Sequence, residues 1–211
     1  MKWTALVACG VWLACPTTAA AHRLDEYLQA TRIALAPDHV RVEIDLTPGI
    51  NVAPRVTPLI DIDGDGKLSP AERHAYAELV VGLTDLQFDG RPAPVVGVGS
   101  EYPSLDDMRA GVGTIRLTAR ATLAATSRGG HRLTYANVHQ PEMSAYLVNA
   151  LAPPPGIHIT RQQRDVWQRQ LTLDYVVDAS PGRGWRIAGG LGGATLMMCA
   201  LGWFRRSSVQ R

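Results

Sequence analysis

Residues 40–46, VRVEIDL, alternate apolar and charged side chains without interruption. The apolar residues stand at every second position: Val40, Val42, Ile44 and Leu46. Because successive side chains of a β-strand point to opposite faces, this spacing predicts a strand with one buried and one solvated face. A strand of this kind belongs in a sheet that packs on a core.

The same period of two recurs along the chain, and short turn motifs separate the segments. Residues 115–123 and 171–177 alternate strictly, and weaker strands are predicted at 25–35, 85–89, 131–138 and 144–151. Asp89-Gly90 and Gly129-Gly130 are typical of turns. Many short strands joined by turns favour a mainly β fold, and we predict an antiparallel, Ig-like β-sandwich for residues 22–178.

An acidic stretch, DIDGDGKLSPAE at residues 61–72, interrupts this pattern. Clustered carboxylates repel one another unless a cation lies between them, and the spacing matches the twelve-residue EF-hand loop. The pattern predicts these ligands: Asp61, Asp63, Asp65, the backbone carbonyl of Lys67, Ser69 and Glu72. Gly66 would allow the sharp bend of the loop. Such oxygens suit Ca²⁺, with Mg²⁺ as an alternative; a solvated acidic turn without an ion is the other interpretation.

Helix signals flank this loop unequally. Ser69 and Glu72 have capping-box spacing, and Pro70 fits the first helical position. An apolar stripe follows at helical spacing, which predicts a helix of about fifteen residues: Tyr76, Leu79, Val80 and Leu83. Pro54 and Pro58 precede the loop and predict a short or irregular entering helix. We therefore expect a single EF-hand, inserted at about residues 52–84, that acts as a structural clip and not as a conformational switch.

Apolar segments lie at both ends of the chain. Lys2, the apolar run and Ala19-Ala20-Ala21 predict a signal peptide at residues 1–21, with His22 as the mature N-terminus. Residues 187–204 are uncharged and would extend roughly 27 Å as a helix, enough to span a bilayer. The predicted order is an exported body, a stalk at 179–186, a membrane helix and a cytoplasmic tail at 205–211. A processed sorting tail, suggested by Gly189-Gly190, is the alternative.

Composition excludes several classes of protein. The net charge of the 211 residues is +2, which argues against nucleic-acid binding. All three cysteines fall in the end segments, so the body has no disulfide framework. No nucleophile motif, Walker loop or dinucleotide fingerprint occurs, and we predict a protein that is not an enzyme.

Two histidines suggest a second metal site. His22, once exposed by cleavage, would offer an amine and an imidazole to a transition metal, and His139 could complete the site. An ordinary polar terminus and a loop histidine are the simpler interpretation.

Part of the sequence resembles known families. AHRLDEYLQATRIALAPDHVRVEIDLTPG (21–49), the acidic loop and LQFDGRPAP (86–94) are similar to exported bacterial proteins with an EF-hand inside a β domain. They also resemble the exported N-terminal domains fused to some bacterial nickel/cobalt transporters. The similarity covers roughly residues 21–120. With a single apolar segment after the body, this chain would serve a transporter only as an accessory.

The leading hypothesis is a calcium-binding, exported protein, anchored in the inner membrane with its body in the periplasm or outside the cell. Its single EF-hand would have a structural or interaction role. The alternative is a periplasmic accessory for nickel, cobalt or copper transport or handling, with a membrane transporter as partner.

Overall fold

A computed structural model of the chain describes residues 25–123 and 127–178. Within these ranges the backbone forms ten strands: β1 Tyr27–Leu35, β2 His39–Pro48, β3 Thr84–Phe88, β4 Arg91–Pro92, β5 Val95–Glu101, β6 Ile115–Thr122, β7 Gly129–Asn137, β8 Ser144–Ala150, β9 Ile157–Arg164 and β10 Gln170–Val177. The connections contain the following helical elements: α1 Ala53–Val56, a 3-10 turn Thr57–Leu59, α2 Pro70–Gly82 and α3 Leu105–Arg109. The fold is therefore mainly β, as predicted.

The strands form two five-stranded sheets, ordered β5-β6-β2-β1-β8 and β4-β3-β7-β10-β9. Paired strands are antiparallel, except that β1 and β8 run parallel with Tyr27 beside Ser144. The predicted antiparallel pairing is therefore confirmed for most of the two sheets, and the β1–β8 pair is the exception. Because β8 follows β7 of the other sheet, no hairpin fixes its direction relative to β1.

Strand β2 runs through the centre of the first sheet and supplies a large part of the core. Its predicted inward side chains are all fully buried: Val40, Val42, Ile44 and Leu46. They belong to one apolar cluster with Leu133, Leu171 and Leu173 of the second sheet. One core shared by two sheets is consistent with a β-sandwich.

Three strands were not predicted: the two-residue β4, β5 and β9. In β5 the register shifts between Gly97 and Gly99, so the side chains do not alternate regularly. In β9 only Ile157 is buried, because this strand lies at the edge of its sheet. The Asp89-Gly90 turn is confirmed, with positive φ at both residues. The predicted Gly129-Gly130 turn is wrong, since these glycines begin β7.

The helices around the acidic loop begin as the sequence predicts. Ser69 is the N-cap of α2, its side chain and that of Glu72 form a reciprocal capping box, and Pro70 is the first helical residue. Helix α2 has thirteen residues. Before the loop, α1 has four residues and is followed directly by the 3-10 turn. Pro54 and Pro58 lie at the first turns of these two elements and account for the short entering segment.

The apolar stripe predicted for α2 is wrong at two positions. Leu79 and Leu83 are 46% and 36% exposed, whereas Ala77 and Val81 face the core. Helix α2 packs against β5, where a Cβ added to Gly97 would lie 2.9 Å from Glu78 Oε1. Strand β5 therefore leaves little room beside α2 at this point.

The predicted end segments lie outside the described residues. They comprise the signal peptide 1–21, His22, the stalk 179–186, the span 187–204 and the tail 205–211. Of the helices within 25–123 and 127–178, none combines the length and apolarity needed to cross a membrane.

Candidate metal centre

The acidic loop joins the 3-10 turn to α2, within the connection between β2 and β3. It gathers the side chains of Asp61, Asp63 and Asp65, with one carboxylate oxygen of each within 4.8 Å of the others. Asp61 is 8% exposed, whereas the other two aspartates face solvent. In the described ranges this is the only such group of three metal-ligating side chains.

The loop backbone turns its amides towards these carboxylates. Gly66, at φ +78°, adopts the left-handed conformation that glycine accepts readily, and its N–H donates to Asp61 Oδ2 at 3.2 Å. The N–H groups of Asp65 and Lys67 donate to Asp63 Oδ1 at 3.1 Å and to Asp65 Oδ1 at 2.7 Å. The three amides offset part of the repulsion between the aspartates.

One oxygen of Asp61 is not satisfied in this way. Its Oδ1 is buried and has no hydrogen-bond partner among the described residues. Buried polar atoms are almost always paired, and an unpaired one is costly when the group is charged. The position therefore fits a cation bound beside the aspartates, which would complete the pairing of this oxygen.

Glu72 ties the two ends of the loop together. Its Oε1 accepts from the N–H of Ile62 at 2.8 Å, and its Oε2 accepts from the N–H and hydroxyl of Ser69 at 2.9 and 2.7 Å. Its carboxylate is not part of the aspartate group. The bidentate role predicted for Glu72 and the ligand role of Ser69 stay predictions, since both side chains are engaged in the helix cap.

The environment of Glu72 keeps its carboxylate ionised. The hydrogen bond from the Ser69 hydroxyl, together with backbone N–H groups of Ser69, Ile62 and Asp63, lowers its pKa below the usual range. An ionised carboxylate at the first turn of α2 also interacts favourably with the helix dipole. The Glu72 carboxylate therefore adds a negative charge at the end of the loop.

Two further loop residues differ in their burial. Leu68 is half-buried and packs against the apolar core, so it attaches the loop to the β domain. The Lys67 side chain is exposed. Its backbone carbonyl remains a predicted ligand.

His139, predicted as a loop histidine and a second-site ligand, is fully buried. Its ring lies edge-on to Tyr27 and Tyr76, with centroid distances of 5.8 and 5.7 Å. Within the described ranges it does not belong to a group of three metal-ligating side chains. Its predicted partner His22 lies outside those ranges, so the transition-metal site gains no structural support.

Sequence reasoning missed a buried polar network around His139. The His139 carbonyl accepts from Gln29 Nε2 at 2.7 Å and from the Tyr146 hydroxyl at 2.6 Å. Asn137 accepts from the His139 N–H at 2.9 Å and donates to Gln29 Oε1 at 2.9 Å. The sequence of β1 contains an indication of this network, because polar Gln29 and Thr31 occupy inward positions of the alternating pattern.

No protein-family model matches this sequence, and no curated protein matches it significantly.

Proposed function

We propose that residues 61–72 bind a calcium ion, and that the ion fixes the α1–α2 segment on an Ig-like β-sandwich. One observation carries this proposal: the buried Oδ1 of Asp61, beside the carboxylates of Asp63 and Asp65, has no hydrogen-bond partner within residues 25–123 and 127–178. A cation at this position would offset the charge of all three aspartates. Ser69, Glu72 and the carbonyl of Lys67 are the proposed remaining ligands.

The donor set favours calcium over other ions. Every proposed donor is a carboxylate, carbonyl or hydroxyl oxygen, which suits a hard cation and not zinc or copper. Calcium accepts six to eight oxygens at variable angles, whereas Mg²⁺ requires near-octahedral geometry and keeps several waters. A loop of twelve residues with two glycines at positive φ, Gly64 and Gly66, suits the larger ion. Extracellular sites of this type bind with Kd values of about 10⁻⁴ to 10⁻³ M.

The surroundings of the loop support a structural role. The entering side consists of four-residue α1 and a 3-10 turn, so two long helices are not available to open against each other. On the exiting side, the Tyr76 hydroxyl of α2 lies 2.7 Å from the Tyr27 hydroxyl of β1. An ion that closes the loop would add to these contacts and stabilise the insertion.

We also propose that the protein is exported, that residues 187–204 anchor it in the membrane, and that it is not an enzyme. The anchor and the signal peptide rest on the sequence, and so does the resemblance to exported EF-hand proteins. The accessory role in transition-metal transport rests on His22 and on sequence resemblance. The burial of His139 does not support this role. Calcium binding with a structural role is therefore the function that the geometry supports best.

A thermal melt in calcium and in chelator tests the proposal. Wild-type protein, Glu72→Gln and the control Glu78→Gln would be compared by far-UV circular dichroism. Glu78 is an exposed residue of the same helix, so its variant matches the change in charge. Calcium at a hundred times Kd adds about 2.7 kcal/mol of stability, which corresponds to an increase in Tm of about 5–10 °C.

The expected rise occurs in wild type and Glu78→Gln and is lost in Glu72→Gln. Equal Tm values with calcium and chelator in the wild-type protein would reject the proposal. An equal rise with Mg²⁺ would retain the site but reject the preference for calcium.

A further inference from the structure

The buried imidazole of His139 has no hydrogen-bond partner in the part of the chain that the structure describes. It is 0% exposed, and neither Nδ1 nor Nε2 makes a hydrogen bond to any described residue. The rings of Tyr27 and Tyr76 pack edge-on against it. A neutral imidazole tolerates such a site, but an imidazolium ion would place a buried charge without an acceptor.

The backbone around His139 prevents the ring from reaching solvent by a small movement. Its carbonyl accepts from Gln29 and Tyr146, and its N–H donates to Asn137. Swinging the imidazole out would break hydrogen bonds that join β1, β7 and β8. The ring therefore binds a proton more readily when the packing around it opens.

Such an opening would displace helix α2 most directly. Tyr76, which covers one side of the His139 ring, lies one helical turn after Glu72, the residue that ties the acidic loop closed. The Tyr76 hydroxyl is bound to the Tyr27 hydroxyl at 2.7 Å, and Tyr27 covers a second side of the ring. Displacing Tyr76 would move the first turns of α2 and the end of the loop together.

The other ionisable groups near the ring do little to counter the effect of burial on the protonation of His139. Burial raises the pKa values of Tyr27, Tyr76 and Tyr146 above the usual range of tyrosine, so these stay neutral. Glu142 is the carboxylate whose charge favours the imidazolium. It is about half-exposed and lies 3.8 Å from Arg55, which weakens its effect.

We propose that His139 is a proton-sensitive latch for α2: protonation of its imidazole releases the helix, so that acid and a bound divalent cation oppose each other. The latch itself depends only on the packing of His139, Tyr27 and Tyr76. Its opposition to the cation rests on the function proposed for residues 61–72.

The direction of the effect follows from linkage. Burial lowers the pKa of His139 to about 4, below the value of about 6.5 for an exposed histidine. Between these values the opened state binds a proton that the closed state does not. The closed state is therefore fully favoured above about pH 6.5 and loses up to tenfold in population per pH unit as the pH falls towards 4.

An acid titration of the full-length chain in mild detergent and chelator tests the latch, followed by near-UV circular dichroism of the tyrosines. His139→Leu replaces the ring by an apolar group of similar size, and His139→Gln is the second variant if the first does not fold. His74→Gln is the control, since His74 is an exposed histidine of α2. Wild type and His74→Gln are expected to open at a pH about one unit higher than His139→Leu.

NMR of the histidine ring in the wild-type protein gives an independent measurement, and a ring that stays neutral down to about pH 5 supports the latch. Coinciding acid midpoints of wild type and both His139 variants would overturn it, as would a His139 ring that titrates near 6.5 in the folded protein.

Repeating the titration with calcium chloride separates the two proposals. A calcium shift of the midpoint that is absent in Glu72→Gln supports the opposition. A normal latch in chelator with no calcium shift retains the latch and rejects its opposition to the cation, and the thermal melt in calcium and chelator decides the calcium site separately.

Discussion

The hydroxyl of Tyr27, the first residue of β1, lies 2.7 Å from the hydroxyl of Tyr76 in α2, with both side chains buried. This contact joins positions 49 residues apart. Among the residues that the structure describes, neither hydroxyl has another hydrogen-bond partner, so the pair depends on one O–H···O hydrogen bond. The pair therefore links the helix that follows the acidic loop directly to the first sheet.

Removing one hydroxyl of this pair should cost more than the bond itself. Tyr76→Phe leaves the Tyr27 hydroxyl buried without a partner, and we expect a loss of about 1–2 kcal/mol in the free energy of unfolding. Tyr27→Phe should cost a similar amount. The double variant should cost little more than either single one, with a coupling energy of about 1 kcal/mol from a urea-denaturation cycle. Strictly additive losses would show that the two hydroxyls do not interact.

Asp61→Asn should have opposite effects on stability with and without calcium. The asparagine carbonyl can still accept from Gly66 N–H, and its amide replaces the unpaired Oδ1 beside Asp63 and Asp65. In chelator we therefore expect Asp61→Asn to be more stable than wild type by about 1 kcal/mol. With calcium the order should reverse, because a charged ligand is missing.

Thermal melts of Asp61→Asn in both conditions check this reversal. Asp106→Asn is the matched control, because the side chain of Asp106 is 93% exposed outside the loop. Its Tm should follow that of the wild-type protein in both conditions. A variant less stable than wild type in chelator would mean that the buried Oδ1 is already satisfied.

Local patterns explain what the sequence predicted correctly. Strand β2 alternates because one face is buried along its whole length, and the four buried residues could be identified from that period alone. The Ser69–Glu72 capping box is equally local, since both partners lie within one helical turn. Three of the loop carboxylates are gathered as their spacing predicts, because five residues of backbone determine their approach.

The features that sequence analysis missed depend on contacts between distant segments. Edge strand β9 has almost no buried residues and therefore no alternation to detect. The rotation of α2 depends on how closely β5 approaches it at Gly97. The burial of His139 arises from β1 and α2 together, and the short sequence around it, NVHQPE, is polar and typical of a loop.

Two glycines should respond differently to replacement by alanine. A Cβ at Gly97 would lie 2.9 Å from Glu78 Oε1, the mobile end of a long side chain. A Cβ at Gly113 would lie 2.8 Å from Met108 N and 2.9 Å from Asp107 C, which are backbone atoms. We expect Gly113→Ala to cost about 2 kcal/mol and Gly97→Ala less than about 1 kcal/mol in urea denaturation. Equal losses would show that the Glu78 side chain cannot move away.

His131 should show a pH dependence opposite to that of His139. Its Nδ1 lies 2.8 Å from Asp89 Oδ2 and its Nε2 lies 2.8 Å from the Ser127 carbonyl, so both nitrogens have acceptors. Burial by itself would lower the pKa of His131, but these hydrogen bonds outweigh it and raise the pKa. The stabilisation is therefore fully present below about pH 6.5 and is lost as the pH rises through the elevated folded value.

His131→Gln should accordingly lose more stability at pH 6 than at pH 9, relative to wild type. The expected difference between the two losses is on the order of 1 kcal/mol or less, since Asp89 is partly exposed and the ion pair is screened. Urea denaturation at both pH values measures it, and Asp89→Asn should show the same trend. Losses that are equal at the two pH values would mean that His131 contributes through its stacking on Phe88 and not through its charge.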